Sequence, residues 1–166
     1  MSPKFLKILI CLVFSNFLGA SITIDGKLSE PEWENAQVVR DFFTVYPNDK
    51  SSPKYKTEVR FFSNEKGIYF GFLNEQPIET QTPLKHPRDK WFVDADRNLI
   101  MIDFDANSNV GYEFSVTLGD TLRDAIWTNE NEKSGSWDAI WFAKTHQTEF
   151  AWYSEFFIPW EVAPMN

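Results

Sequence analysis

The segment NLIMIDFDANSNVGYEFSVTL, residues 98–118, contains two runs in which every second side chain is apolar. In the first run, every second residue from Ile100 to Phe104 is apolar, so these side chains share one face of an extended strand. The second run repeats the pattern from Tyr112 to Leu118. The polar sequence Asn107-Ser108-Asn109 separates the runs and is typical of a turn. The segment therefore predicts an antiparallel hairpin with one face in a hydrophobic core.

Similar patterns, separated by turn residues, continue in both directions along the chain. The other predicted strands are 22–24, 38–46, 57–63, 68–74, 124–128, 137–144 and 149–158. Ser29 to Ala36 predicts one short helix, with Ser29 as its cap and Glu32 completing a capping box. Residues 76–88 contain three prolines and no periodicity, which indicates a long loop. The sum predicts an all-β fold, an antiparallel β-sandwich of the jelly-roll or immunoglobulin-like type with one short N-terminal helix.

The first twenty residues have the three parts of a secretory signal peptide. Lys4 and Lys7 form the positive region, residues 8–14 are an unbroken apolar run, and Gly19-Ala20-Ser21 offers small residues for cleavage. The apolar run is shorter than the roughly 20 residues that cross a bilayer as a helix, so we expect no membrane span. We expect residues 1–20 to be removed and residues 21–166 to form one periplasmic or secreted domain.

Charge and cysteine content narrow the classes of ligand and chemistry. The chain has 16 basic and 24 acidic residues, and two of the basic residues lie in the leader, so the mature charge is 14 − 24 = −10. Nucleic acid is a disfavoured partner because it would be repelled. The only cysteine, Cys11, is in the leader. The mature domain is therefore predicted to use no disulfide, thiolate metal site or cysteine nucleophile.

Several motifs resemble one family when they are taken in order along the chain. These are ITIDGKLSEPEW at 22–33, GIYFGF at 67–72, IDFD at 102–105, WDAIW at 137–141 and EFFIPW at 155–160. Together they resemble the family 9 carbohydrate-binding modules and their relatives. The WDAIW and Ile-Pro segments most resemble the module that precedes an outer-membrane β-barrel in some of those relatives.

The resemblance implies a β-sandwich that is one module of a larger exported protein. Some relatives are attached to polysaccharide-degrading O-glycosyl hydrolases and hold sugar chains between tryptophans, and calcium is found in the fold. The implied partner is a polysaccharide or oligosaccharide, with a catalytic domain or a C-terminal barrel in the same protein. Because the family continues into one more strand after its Ile-Pro segment, we expect this chain to lack the last strand of the module.

Candidate ligand-binding residues follow from the outward face of the predicted hairpin and from the loop before it. We expect a saccharide to lie across that face with Trp91 at its rim, since an aromatic ring beside charged donors suits a pyranose. The predicted carbohydrate-binding residues are Arg88, Trp91, Asp96, Met101, Asp103, Glu113 and Ser115.

Asp94, Asp96 and Asn98 are predicted calcium ligands, because they are hard oxygen donors at alternate positions outside regular structure. An EF-hand is excluded, since a loop starting at Asp103 would have Ser108 at its sixth position and Phe114 at its twelfth. The alternative for these acids is that they only begin and end a strand.

Three other functions stay open at this point. The domain could be a periplasmic module that acts through contacts with its neighbours and binds no glycan. Glycoside hydrolysis would need an acid–base pair among Asp96, Asp103, Glu113 and Glu155, whose separation the sequence does not give. Haem binding would need Met101 and a histidine or lysine as axial ligands. We expect a non-catalytic carbohydrate-binding module.

Overall fold

The computed structural model describes residues 22–47, 50–90, 93–129 and 131–162. The predicted signal peptide, residues 1–20, and the predicted binding residue Trp91 lie outside these ranges. Two antiparallel sheets pack face to face, which confirms the predicted β-sandwich. Among the described residues, no helix has the length and apolar character needed to cross a membrane.

The described part of the chain contains nine strands and three short 3-10 turns. The strands are β1 Gln37–Val39, β2 Thr57–Ser63, β3 Gly67–Glu75, β4 Arg97–Ile102, β5 Val110–Thr117, β6 Leu122–Thr128, β7 Glu132–Ser134, β8 Phe142–Gln147 and β9 Ala151–Pro159. The 3-10 turns are Pro31–Asn35, Ile78–Thr80 and Trp160–Val162.

One sheet has five strands in the order β1-β2-β3-β9-β8, and the other has four in the order β4-β5-β6-β7. The quoted segment forms the β4–β5 hairpin, in which Ile100 is opposite Phe114 and Met101 is opposite Glu113. The alternation of side chains therefore places Ile100 in the core and Met101 on the outer face, as predicted.

Aromatic rings from both sheets fill the interior. Trp141, which directly precedes β8, stacks on Phe156 of β9 with ring centroids 5.8 Å apart. Its ring also meets the edge of Phe114 from β5, with centroids 5.3 Å apart. All three side chains are buried. Because Phe114 and Phe156 belong to different sheets, Trp141 joins the two layers of the core.

The N-terminal segment, residues 22–36, lies on the outer face of the five-stranded sheet and is held by Glu155 of β9. One oxygen of Glu155 accepts hydrogen bonds from the backbone N–H groups of Asp25 (2.9 Å) and Gly26 (2.8 Å), and the other accepts one from the Trp33 indole (3.1 Å). Gly71 of β3 is opposite Glu155, and its missing side chain leaves room for Trp33. The motif at residues 22–33 thus forms a structural latch, in which Trp33 packs on the five-stranded sheet.

Several predictions of local structure need correction. Residues 22–24, which were predicted as a strand, form none. The predicted strand 38–46 is paired only over Gln37–Val39, and Phe42 bonds back to the carbonyl of Arg40, which turns the chain away from β2. The predicted strand 137–144 begins only at Phe142. The N-terminal turn is capped by Glu30 without a side-chain hydrogen bond, so the predicted Ser29 capping box is wrong.

Candidate functional site

The outer face of the four-stranded sheet carries three of the seven predicted binding residues, Met101, Glu113 and Ser115. Strand register places Leu99 beside Ser115 and Met101 beside Glu113 on this face. The next strand adds Arg123 and Trp127, which are opposite Ser115 and Gly111, and β7 adds Lys133. We call this surface, defined by these eight residues, the outer face.

A groove of about 430 Å³ opens at one end of the outer face. Gly111 forms its floor, because a Cβ added there would lie 3.3 Å from the Sδ of Met101 and 3.7 Å from the Cβ of Trp127. Met101 and Trp127 therefore flank a position that has no side chain. The groove is lined by Met101, Asp103, Ser108, Asn109, Val110, Gly111 and Trp127.

Asp103 shapes the loop at the rim of the groove. Its carboxylate accepts hydrogen bonds from the backbone N–H groups of Asp105 (3.2 Å) and Ser108 (2.6 Å). A carboxylate that bonds backbone N–H groups ahead of it in sequence stabilises a turn. Asp103 thus lines the groove and also orders the loop beside it.

Glu113 lies beneath the groove and is buried. Its Oε1 accepts from Arg123 at 2.7 Å, and its Oε2 accepts from the Trp127 indole at 2.8 Å and from Lys133 at 2.6 Å. Burial alone would raise the pKa of Glu113, but the hydrogen bonds from Lys133 and Trp127 and the nearby positive charges outweigh it and lower the pKa. Glu113 is therefore an ionised anchor that fixes the Trp127 indole at the groove.

The rest of the outer face is less open than the sequence predicts. Ser115 and Glu113 are each only 2% exposed, whereas Met101 is 52% exposed. Ser115 lies in a small enclosed space shared with Val93 and the basic residues Lys90, Arg97 and Arg123. Ser115 and Glu113 are therefore closed to direct contact with a ligand, whereas Met101 is open to it.

Arg88 does not reach the outer face. Its guanidinium lies 3.1 Å from both carboxylate oxygens of Asp124 and 2.8 Å from Asp138. Asp124 of β6 is opposite Phe114 of β5, and its carboxylate also accepts a hydrogen bond from the Trp141 indole. The Asp124 side chain therefore points into the sandwich. Burial raises the pKa of Asp124, although hydrogen bonding to the Ala139 N–H and the charge of Arg88 partly oppose this.

Asp89, Asp124 and Asp138 form an acidic cluster around Arg88 that the sequence did not reveal. One carboxylate oxygen from each lies within 4.8 Å of the others, which is a spacing that could hold a metal ion. The positive charge of Arg88 already stands among these oxygens, with its Nε 3.4 Å from Asp89. The arrangement is thus an ion-pair network that fastens the loop before β4 to β6.

The three predicted calcium ligands have different surroundings. Asn98 points between the sheets, where its carbonyl accepts from Asn74 (3.0 Å) and Ser154 (2.8 Å). Asp96 accepts from the backbone N–H of Thr82 at 2.7 Å and from Gln76, so it fastens the long loop, and Asp94 is exposed. The oxygen of Asn98 is therefore committed to a polar bridge inside the core.

The acids considered as an acid–base pair for hydrolysis do not all lie on the same face of the molecule. Glu113 lies on the outer face of the four-stranded sheet, whereas Glu155 lies under residues 22–36 on the outer face of the other sheet. Packed sheets are about 10 Å apart, and both side chains point away from the shared core, so these two carboxylates cannot flank one glycosidic bond.

Trp127 and Gly111 are two of the groove residues that the sequence did not single out. A glycine at a polar-face position of a strand is a recognised sign of close approach by a ligand or another chain. The pairing of Gly111 with Trp127 depends on register between strands, which the sequence did not specify.

Comparison of the chain with protein-family models, curated proteins and solved structures found no match.

Proposed function

We propose that this domain is a non-catalytic carbohydrate-binding module that holds a saccharide in the groove between Met101 and Trp127. The observation that carries the proposal is an open groove with an indole wall, a side-chain-free floor and a polar rim. Sugar-sized ligands favour such sites, because apolar walls pack against C–H groups while a few polar groups fix orientation. Asp103 and Asn109 supply oxygen and amide groups at the rim.

The fixed position of Trp127 supports the same proposal. Its indole is bonded to Glu113, and Lys133 lies over its ring at 4.8 Å from the centroid. A ring that is already ordered loses little conformational freedom when a ligand packs against it. The resemblance to family 9 modules adds that the domain serves an exported protein engaged in polysaccharide degradation or uptake.

Calorimetry with xylo- and cello-oligosaccharides tests the proposal. Trp127→Ala should weaken binding at least tenfold, about 1.4 kcal/mol, because it removes one wall of the groove. Met101→Ala should also weaken binding, and it disturbs no hydrogen bond of the Glu113 network. Phe150→Ala is the matched control, since Phe150 is 72% exposed and belongs to the β8–β9 turn.

Binding that survives both groove variants would contradict the placement of the site. A Trp91→Ala variant measured in the same series would then report whether the saccharide lies at the loop before β4. If no saccharide produces heat with the unaltered protein, the carbohydrate-binding proposal fails.

A second candidate function is a periplasmic domain that acts by contact with a neighbour. The observation that favours it is the segment from Val38 to Tyr46, which exposes several apolar side chains beside the edge strand β1. The exposed fraction is 55% for Phe43, 70% for Val45 and 95% for Tyr46. Exposed apolar side chains that lie together mark interaction sites in many soluble proteins. Two observations together would support this function. The protein should bind none of the saccharides, and its self-association should disappear in a Phe43→Ser/Tyr46→Ser variant.

A further inference from the structure

Basic side chains gather at the end of the outer face opposite the groove. Lys90, Arg97 and Arg123 line one small space with the hydroxyl-bearing residues Ser115, Thr117 and Thr121. The whole chain has a net charge of −8, so three basic residues around one space, of which Arg123 is paired with Glu113, contrast with the charge of the chain. Buried or focused charge of one sign raises the local concentration of ligands of the other sign.

Two of these cations have no carboxylate partner within the described ranges. Arg97 and Lys90 are exposed, and neither forms a salt bridge with a described carboxylate. Arg123 is the exception, because it is paired with Glu113. Lys90 and Arg97 therefore remain able to bind an anion.

Within the described ranges, none of the neighbouring acids forms a salt bridge with Lys90 or Arg97: Asp89 pairs with Arg88, and the exposed Asp94 has no salt bridge. Asp96 accepts from the backbone of Thr82 in the long loop. Asp120 accepts from Lys144 and Thr145 of β8, and this interaction lies at the edge of the other sheet. Glu113 is the one acid placed along the centre of the outer face, and Arg123 and Lys133 both pair with it. The basic end therefore keeps its positive charge.

The groove and the basic end lie along the same strand. Gly111 is at the groove and Thr117 at the basic end, so six steps along β5 separate them by about 20 Å. Met101, Leu99 and Arg97 follow the same path on β4. A linear saccharide that lies along these strands would touch both ends.

We propose that the ligand of this outer face is an anionic saccharide whose carboxylate or sulfate groups are bound by Lys90 and Arg97 while a sugar ring occupies the Met101–Trp127 groove. This inference rests on the proposed function and specifies its substrate class. Lys and Arg bind both carboxylate and sulfate oxygens through charge-assisted hydrogen bonds. The two anionic groups are therefore separate arms of the test.

The experiment measures binding of an oligogalacturonate, a sulfated oligosaccharide and a neutral xylo-oligosaccharide of equal length at low salt. We expect at least one anionic ligand to bind at least tenfold more tightly than the neutral one, with affinity falling as salt is raised. Lys90→Glu/Arg97→Glu should remove this preference. Lys54→Glu/Lys66→Glu is the matched control, because it makes the same charge change at exposed positions outside the outer face. Thermal unfolding of each variant confirms that it is folded.

The outcomes separate the inference from the proposed function. Neutral binding that equals or exceeds anionic binding overturns the inference and leaves the carbohydrate-binding proposal intact. Absence of binding to all three saccharides overturns both. Anionic binding that the control variant weakens as much as Lys90→Glu/Arg97→Glu also overturns the inference, since only overall charge would then matter. Adsorption to anionic phospholipid vesicles without saccharide binding would assign the basic end to a lipid surface instead.

Discussion

At the scale of single residues, Glu155 is the buried acid with the most strongly altered ionisation. Burial raises its pKa from 4.5 to about 7, and the charge of Glu30 adds to this, although the N–H groups of Gly26 and Asp25 and the Trp33 indole favour the ionised form. Between these two pH values the folded protein holds a proton that the unfolded chain has released. The free energy of unfolding should therefore fall as pH rises from 4.5 to 7.

The pH dependence of stability tests this assignment. A shift from 4.5 to about 7 corresponds to roughly 3 kcal/mol of stability lost across that interval. Urea unfolding at pH 5 and pH 8 should show this loss, and Glu155→Gln should flatten it. Glu149→Gln is the control, since Glu149 is an exposed carboxyl in the β8–β9 turn. An equal pH slope in the unaltered protein and Glu155→Gln would contradict the assignment.

At the scale of elements, the latch formed by residues 22–36 depends on one backbone conformation. Gly26 has a φ of +86°, and a Cβ at this position would lie 2.6 Å from the carbonyl carbon of Thr145 in β8. Few L-residues adopt this φ, and no flexible side chain can move aside to relieve the contact. The Asp25-Gly26 turn of the motif is thus required for the segment to approach the sheet.

Gly26→Ala should lower the free energy of unfolding by about 2 kcal/mol or more. The same variant should expose residues 22–36 to limited proteolysis before the sandwich unfolds, because the latch and the core are separate contacts. Gly111→Ala provides the comparison, since the nearest atom to its added Cβ is the movable Sδ of Met101 at 3.3 Å. If the two variants were equally stable, the latch would not depend on the Gly26 conformation.

At the scale of the whole molecule, stability depends on the aromatic core that joins the sheets. Trp141→Ala should cost about 3–5 kcal/mol, because it leaves a cavity between Phe114 and Phe156. Phe150→Ala removes an exposed ring of similar type and should change stability by less than about 0.5 kcal/mol. Chemical denaturation of both variants checks the contrast. A small loss in Trp141→Ala would mean that Trp141 does not join the two layers.

The sequence predicted the fold well because alternation reports which face of a strand is buried. The β4–β5 hairpin and the core positions Ile100 and Phe114 follow from that rule alone. The site was predicted only in part. Met101 and Asp103 line the groove, but the pairing of Gly111 with Trp127 depends on a register between strands that local patterns did not fix.

Long-range ion pairing was the other feature beyond the reach of local patterns. Arg88 was expected to face a saccharide beside Trp91, yet it reaches Asp124, 36 positions along the chain. A buried carboxylate such as Asp124 is costly unless a positive charge lies beside it. Which basic residue lies beside it depends on the folded arrangement of the chain. The same reasoning applies to Asn98, whose partners lie on two strands of the opposite sheet.

The position of β9 in its sheet has a consequence for the order of events during synthesis. This strand is the last of the nine, yet it lies between β3 and β8, and its Glu155 binds backbone groups 129 and 130 positions earlier. The five-stranded sheet cannot close until residues 151–159 have been synthesised. The edge of β3 that pairs with β9 should therefore stay uncovered until then. Folding should be slow because the contacts that close this sheet join residues that are distant in sequence.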